Sequence, residues 1–407
     1  MTTHDTTVAV VGGGPVGACL AIALARGGVA VTTVDASSPA AASRDRERPI
    51  ALSHGSCVIL NALGLWSALA SHAAPIRTIH VAEQGRLGTT VLRAADHDID
   101  AFGHVVDASR LERSLGEALA ATAGVRVLRP ATVVDLESGE GDVRLALSGA
   151  GVAADDAIRA RLVVAADGTR STVRGLAGIA VREHDYGQVA LTAAVVPCEP
   201  APGSAFERFT ADGPLALLPL TGGRHGLVWT LPPQRAQALV AAPESAFLAA
   251  LGAAFGGRLG GFRAVQWRAL HPLAMVSATA DVRGRVVLAG NAARTLHPVA
   301  GQGLNLGLRD CAWVAESVLD AHRRGIDPGA PARLTALAAA RRPDRAEIVG
   351  GTDALVRLFT ARLPGLGIAR GLGLALLDLA PPLKRLLGRH AMGYGHPSPR
   401  MLRGLAP

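Results

Sequence analysis

The sequence predicts an α/β protein: a Rossmann-like domain interrupted by a second domain built on an antiparallel sheet, with a helical carboxyl-terminal region after both. Three observations predict it. A glycine-rich turn near the amino end joins an apolar strand to a helix. Two later apolar strands, Leu162–Ala166 and Arg285–Ala289, each end in a glycine turn of their own. Between them, from Gln188 to Pro232, the texture changes to short strands linked by Gly/Pro turns, which is how antiparallel sheets read.

The first element is the strand Thr7–Val11. Gly12, Gly14 and Gly17 then fit G-x-G-x-x-G, and Pro15–Arg26 reads as a helix stopped by Gly27-Gly28. A second strand, Val29–Val34, is closed by Asp35. Glycines in this pattern allow a tight turn, the approach of a pyrophosphate and close helix–strand packing, and the acid takes a ribose hydroxyl. The competing reading is a purely structural βαβ turn. Strand, helix and acid at their proper offsets favour a bound dinucleotide.

The α/β pattern continues with His104–Val106, a helix Ser109–Thr122 and a strand Val125–Leu128. Ser109 and Glu112 have the spacing of a capping box. Val133–Ser148 alternates as a hairpin turning at Ser138-Gly139-Glu140-Gly141. The strand Leu162–Ala166 ends in Asp167-Gly168, with Arg174 beyond. An acid followed by glycine at a strand's carboxyl end is either a plain turn or a ligand-side feature of an open sheet.

The second domain is read from Val189–Val196, Phe206–Thr210, Leu215–Leu220 and Gly226–Leu231, with Thr221–Arg224 as a hairpin turn and Arg263–Ala269 as a further strand. Phe206 and Arg208, two apart, share one sheet face; one of them lines a pocket, or both serve the fold. The expected division is 1–75, 101–180 and 275–350 for the dinucleotide-binding domain, 76–100 and 181–274 for the substrate domain, and 351–407 for the helical region.

Val286 returns the chain to the first domain. The run from Gly290-Asn291 through Gly301, Gly303, Leu304 and Asn305 leads into a helix expected over Leu304–Leu319. Gly301 and Gly303 remove side chains where backbone must pass close to something flat or charged. The amino end of the following helix then presents free N–H groups and partial positive charge. Such an end suits a ring that gains negative charge, as a flavin does at N1/O2 on reduction.

Composition narrows the classes. A chain of 407 residues, 49% hydrophobic and 18% charged, is globular and long enough for a large core. Its net charge of +8 is almost wholly arginine; the only lysine is Lys384. No basic block is interleaved with aromatics, which make up 3%, so a nucleic-acid partner is not expected. Cys19, Cys57, Cys198 and Cys311 are far apart and have no metal-ligand spacing, so no metal is expected. Cys19 and Cys311 read as buried filler. A polar amino end and the lack of a long apolar run point to a cytoplasmic protein with no spanning helix.

Taken in order, these segments resemble the FAD-dependent aromatic hydroxylases, the group A flavoprotein monooxygenases, in their ubiquinone-biosynthesis branch. Arg48-Pro49-Ile50-Ala51-Leu52-Ser53, Tyr186-Gly187-Gln188, Ala205-Phe206-Glu207-Arg208-Phe209-Thr210 and Gly213–Pro219 extend the likeness from about Thr7 to about Gly393. Asn291 stands where the family usually has an acid that bonds the ribityl chain; Asn accepts the same bond without the charge, and the change favours the 6-methoxyphenol hydroxylases within that branch. Where many relatives carry an Arg, this chain has Ser109.

The resemblance implies an enzyme with non-covalent FAD held by Gly12, Gly14, Gly17, Asp35, Arg48, Asp167, Gly168, Asn291, Gly301, Gly303, Leu304 and Asn305. NAD(P)H is the implied reductant and O2 the cosubstrate. A flavin C4a-hydroperoxide would hydroxylate the ring of a polyprenylated phenol, with Pro298 over the flavin's reactive side. Other ubiquinone-synthesis proteins are implied partners. His297 is read as a structural hydrogen-bonding group, and Arg44 and Arg46 as either contacts to NAD(P)H phosphates or solvated charges.

The tail ends in a basic amphipathic run around Lys384, Arg385 and Arg389, which reads either as peripheral membrane contact or as a helix on its own core. Three rival functions compete with this reading. A flavin-dependent halogenase is disfavoured because Trp229-Thr230-Leu231-Pro232 matches only half its W-x-W-x-I-P motif. A polyprenyl reductase would consume no oxygen. A non-catalytic flavoprotein scaffold is disfavoured by the intact loop from Pro298 to Asn305.

Overall fold

The computed structural model describes residues 3–37, 48–150, 156–296, 301–360, 371, 373, 376–394 and 398–407, with the backbone alone for 346–360. Arg44, Arg46, His297 and Pro298 lie outside the described residues.

The first sheet runs in the order Val282–Arg283, Val286–Leu288, Ala157–Ala165, Thr3–Val11, Val31–Val34, Val125–Leu128. Along this path the neighbours are parallel except at the short Val282–Arg283 edge, and off it Val143–Ser148 joins Ala157–Ala165 antiparallel and pairs antiparallel with Thr132–Ser138. Strand alternation divides the residues cleanly. Val8 and Val10 meet the helices Pro15–Arg26, Ala108–Ala121 and Gln302–Arg323. Ala9 and Val11 meet the hairpin Thr132–Ser138 and Val143–Ser148 on the other face. Cys19 and Cys311 are buried in the helical layer, as filler should be.

The glycine-turn helix spans Pro15–Arg26, the expected limits. Pro15 opens it where its missing N–H costs nothing, and Gly27 ends it. The helix Ala108–Ala121 starts one residue earlier than expected, so Ser109 falls inside the first turn and cannot cap it. Asp107 caps it instead, its Oδ1 accepting from Arg110 N at 3.1 Å.

The second sheet has eight strands: Arg294–Thr295, Phe262–Ala278, Val181–Pro197, His225–Leu231, Pro214–Pro219, Ser204–Phe209, Thr78–Glu83 and Thr89–Arg93. One joint departs from the antiparallel expectation. Ser204–Phe209 pairs with Thr78–Glu83 in parallel, in a register that sets Phe206 beside His80. The hairpin 78–93 reaches this edge from an earlier stretch of chain, so no tight turn dictates the direction of its pairing. The helices Pro233–Ala241 and Glu244–Phe255 cover one face, burying Leu191, Leu217, Leu227 and Trp229 against Phe247, Leu251 and Phe255.

A small third sheet lies between the two. Gly103–Asp107 pairs antiparallel with Pro49–Ser53 and with Ala74–Pro75. The sequence reading put residues 104–106 into the main α/β pattern. The structure takes them out of it, because the edge beside Val31–Val34 is occupied by Val125–Leu128. The small sheet presses Pro49 against the second sheet's opposite face, where a Cβ on Gly226 would lie 2.5 Å from the Pro49 ring.

The helix Pro331–Thr360 runs through residue 350 with Pro343 inside it, and Pro381–Met392 forms the last helix.

Candidate functional site

The glycine turn is shaped by what surrounds each missing side chain. Gly12 has φ 109°, and a Cβ there would lie 2.3 Å from the Ala166 carbonyl oxygen. A Cβ on Gly17 would lie 1.9 Å from the Gly12 oxygen, so the helix rests directly on the turn. Gly14 is different: nothing lies within 4 Å of its absent Cβ. The turn is therefore closed toward the protein and open on the side where a pyrophosphate would approach the helix amino end.

Asp35 lies across this turn, its Oδ2 only 2.5 Å from where a Cβ on Gly13 would be, so a fourth glycine is favoured at a position the G-x-G-x-x-G pattern leaves free. Its carboxylate accepts from Ser37 N at 3.1 Å and Ser37 Oγ at 2.8 Å, and pairs with Arg129 at 3.3 Å. These bonds hold the acid oriented at the strand end.

Asp167 meets the turn from the next strand. Its Oδ2 accepts from Val173 N at 3.1 Å, while Oδ1 is buried with no hydrogen-bond partner. Gly168, at φ 85°, has open space beside it. Arg174 then fastens this turn to the later one, donating to Ala292 O at 2.9 Å and to Thr169 O at 3.0 Å.

The Gly290 turn is held from below. Gly290 N donates to Asp310 Oδ2 at 3.1 Å, and Asp310 Oδ1 accepts from Arg341 and Arg345 at 3.0 and 2.7 Å. All three side chains are buried. Asn291 stays exposed at the tip of the turn. Sequence reading missed Asp310, because its partners come 31 and 35 residues later.

Gly301, at φ 60°, caps the helix Gln302–Arg323 and would bring a Cβ to 3.4 Å from that of Ala51. Gly303 opens onto free space, with half-buried Leu304 beside it. Asn305 does something the sequence did not indicate. Its Oδ1 accepts from Ser53 N at 2.8 Å and Ser56 Oγ at 2.7 Å, and its Nδ2 donates to Ala51 O at 2.9 Å and Gly301 O at 2.8 Å. The side chain is fully committed to the protein; it pins the loop to the small sheet and leaves only backbone for a ligand.

Arg48 begins the small sheet's first strand. Its backbone N–H is held by Asp107 Oδ2 at 2.8 Å, while its guanidinium is half exposed and only 3.5 Å contact links it to Glu112. It faces His271, whose imidazole is held below its usual range by burial first and by the Arg48 charge second. Tyr394 closes the carboxyl-terminal side, bonded to His54 Nδ1 at 2.9 Å. Burial holds the His54 imidazole below its usual range, so this pair is neutral. Tyr186 and Gln188 brace the second sheet, through Met275 Sδ at 3.7 Å and Asp212 O at 2.9 Å. Trp229 is a fully buried core residue.

The structure thus brings Gly12, Gly14, Gly17, Asp35, Asp167, Gly168 and Asn291 to one side of the first sheet's strand ends. Gly301, Gly303 and Asn305 stand against the small sheet that Arg48 begins. The orphaned Asp167 oxygen and the open faces of Gly14, Gly168 and Gly303 suit an elongated ligand with hydroxyls, phosphates and a flat ring. Among the described residues no group of His, Cys, Asp and Glu could hold a metal ion.

Fold and site define an FAD-dependent aromatic monooxygenase. The chain belongs to the family described as FAD binding domain, whose model matches residues 5–347. It is 39% identical over 404 residues to the ubiquinone hydroxylase UbiL of Rhodospirillum rubrum, covering 98% of this chain and 92% of that one. It is 34% identical to the 3-demethoxyubiquinol 3-hydroxylase of Escherichia coli, covering 97% of this chain and 100% of that one. Among solved structures, the p-nitrophenol 4-monooxygenase PnpA of Pseudomonas putida superposes with a TM-score of 0.78 at 22% identity, over 97% of this chain and 99% of that one.

Proposed function

We propose that this chain hydroxylates the ring of a polyprenylated phenol on the route to ubiquinone. The relatives named for ubiquinone hydroxylation support the substrate class. The observation that carries it is the face of the second sheet turned away from the helices Pro233–Ala241 and Glu244–Phe255. Ala190, Ala194, Ala205, Ala216 and Leu218 line that face, and Ile79, Ala51 and Tyr394 pack beside it. Small apolar side chains leave room for a ring with an oily tail, and few polar groups compete for it.

Bound FAD would relay reducing power from NAD(P)H and supply the oxygen-transfer chemistry with O2. The protein's part is binding, orientation and exclusion of water. Gly12, Gly14 and Gly17 would receive the pyrophosphate and Asp35 a ribose hydroxyl. Arg48, Asp167, Gly168 and Asn291 would hold the remainder of the cofactor. The backbone of Gly301, Gly303, Leu304 and Asn305 would face the ring from the helix amino end, where charge gained on reduction is stabilised. Pro298 would stand over the reactive side.

We further propose the division of the chain by sheets given above as cofactor and substrate domains, and a peripheral membrane contact through the last helix, by which a lipid-borne substrate would arrive. No described helix is long and apolar enough to cross a membrane.

The test is a strain lacking this protein and any redundant hydroxylase. It should lose ubiquinone and accumulate a prenylphenol one oxygen short. The wild-type chain should restore synthesis, and Pro298→Arg should not. Normal ubiquinone in the deletion strain refutes the assignment.

A further inference from the structure

Strand alternation along Ser204–Phe209 decides which side chains can see the site. Phe206 stacks on His80 with ring centroids 5.0 Å apart and meets Phe255 edge-on at 5.4 Å. The Arg208 guanidinium sits 5.4 Å from the same Phe255 ring. Both therefore belong to the face covered by the helix Glu244–Phe255. The residue between them points the other way, with Ala205, and Ala205 packs in the cluster that holds Ala51, Leu218 and Tyr394. That residue is Glu207.

Glu207 is flanked across the sheet by Ala216 and Val81, neither of which can bond to it. Its Oε1 is buried and has no hydrogen-bond partner among the described residues. A carboxyl oxygen buried without a partner costs free energy that the fold must carry, and such an atom marks a place where a ligand can complete the bonding. Burial alone pushes this carboxyl up to about 7. The titratable groups on this face include Glu83, two residues along the neighbouring strand from Val81, Tyr394, tied to His54, and His271 beside Arg48. None of them lends Glu207 a charge.

We infer that Glu207 is a catalytic residue: its carboxylate accepts the hydroxyl of the bound phenol and takes that proton as the ring is attacked. This rests on the phenol reading above. The O–H bond of the ring hydroxyl breaks and an O–H bond to a Glu207 oxygen forms. The electron pair left on the ring oxygen raises electron density at the ring positions ortho and para to it. O2 is the oxidant and NAD(P)H the reductant, both supplied by the proposed activity. The attacked ring carbon gains one oxygen atom of O2 as its hydroxyl and gives up its proton to the water formed from the other, and the Glu207 proton returns to the original ring oxygen. A buried base with a pKa near the working pH is suited to both directions of transfer.

Equilibrium dialysis of the flavin-loaded protein without NAD(P)H tests this apart from turnover, using a short-chain 2-prenylphenol and its O-methyl ether, which has no proton to give. Wild type should hold the phenol about tenfold or more tighter than the ether, the worth of one charge-assisted bond. Glu207→Gln keeps the shape and removes the charge, so flavin content and circular dichroism should match wild type while that preference falls to the few-fold level of a neutral hydrogen bond. Glu207→Asp, which retains a carboxyl, should keep part of it. In turnover, kcat/KM of wild type should rise with pH through about 7, where the carboxyl ionises, and this limb should be missing from Glu207→Gln. A Glu207→Gln protein that keeps the full preference, or a wild type that binds both compounds equally, overturns the role of Glu207. A wild type that takes up neither compound overturns the phenol reading itself.

Discussion

At the scale of single residues, Asp35 is the acid we propose as a cofactor ligand. Ser37 and Arg129 fix its carboxylate over Gly13, so a ribose hydroxyl bound there would meet an acceptor already aimed. Asp35→Ala should weaken FAD by about 1.5–3 kcal/mol, the loss of one charge-assisted hydrogen bond. Flavin retained after dialysis measures it, and undiminished retention would remove Asp35 from the site. This acid was legible in the sequence because its offset from the glycines is fixed by one strand and one helix. Glu207 was not. Period-two alternation puts Phe206 and Arg208 on one face, but only the helix Glu244–Phe255, packed against that face, tells which face is covered. Asp167 was read as a turn acid, and its turn bond to Val173 is there; the second, orphaned oxygen needs the fold to be seen.

Among elements, the helix Pro15–Arg26 was read to its limits because Pro15 and Gly27 mark both ends in the chain itself. The strand Val181–Pro197 was read only from Val189. Its first half, with exposed Arg182, Glu183, His184 and Asp185, has a loop's composition and becomes a strand through pairing with the distant residues 274–278. The helix Gln302–Arg323 illustrates the same limit. Its amino end was expected beside the cofactor, but the buried Asn305 bonds that hold it there reach back to Ser53 and Ser56, far away in sequence. With the loop pinned so firmly, Gly303 becomes a clean probe. Among the described residues nothing beyond its own helix lies within 4 Å of its absent Cβ, so a side chain at this position has room. A branched side chain inside a first helical turn costs only a few tenths of a kcal/mol. The variant should therefore melt like the wild-type apoprotein yet bind almost no flavin. Full flavin content in Gly303→Val would mean that the cofactor ring does not approach this backbone.

For the whole molecule, the question is how an oily substrate reaches a site enclosed between two sheets. The carboxyl-terminal segment supplies the relevant surface. Met392 and Tyr394 pack into the same cluster as Ala205 and Leu218, so this segment adjoins the proposed substrate face. Gly388 presses on His97, fixing one side of the last helix to the protein. The opposite side is apolar and open: Leu379 is 79% exposed, and Leu383 and Leu386 are each 54% exposed. Leu383, Leu386 and Leu387 follow helical spacing, and exposed Arg385 and Arg389 flank them. A soluble surface gains nothing from such a stripe, whereas a membrane interface stabilises each inserted leucine by about 1.5–3 kcal/mol and each basic residue near anionic lipid by about 1 kcal/mol. The chain should therefore sediment with vesicles rich in phosphatidylglycerol and less with neutral phosphatidylcholine, and added salt should weaken the difference. Leu379→Glu with Leu383→Glu should lower vesicle binding at least roughly tenfold, since two leucines are lost and two repelling charges gained. The double variant should keep its flavin and its rate on a short-chain, water-soluble phenol, and lose rate only on a long-chain phenol presented in vesicles. If it binds anionic vesicles as well as wild type does, the leucine stripe is not the membrane contact and the substrate enters by another face.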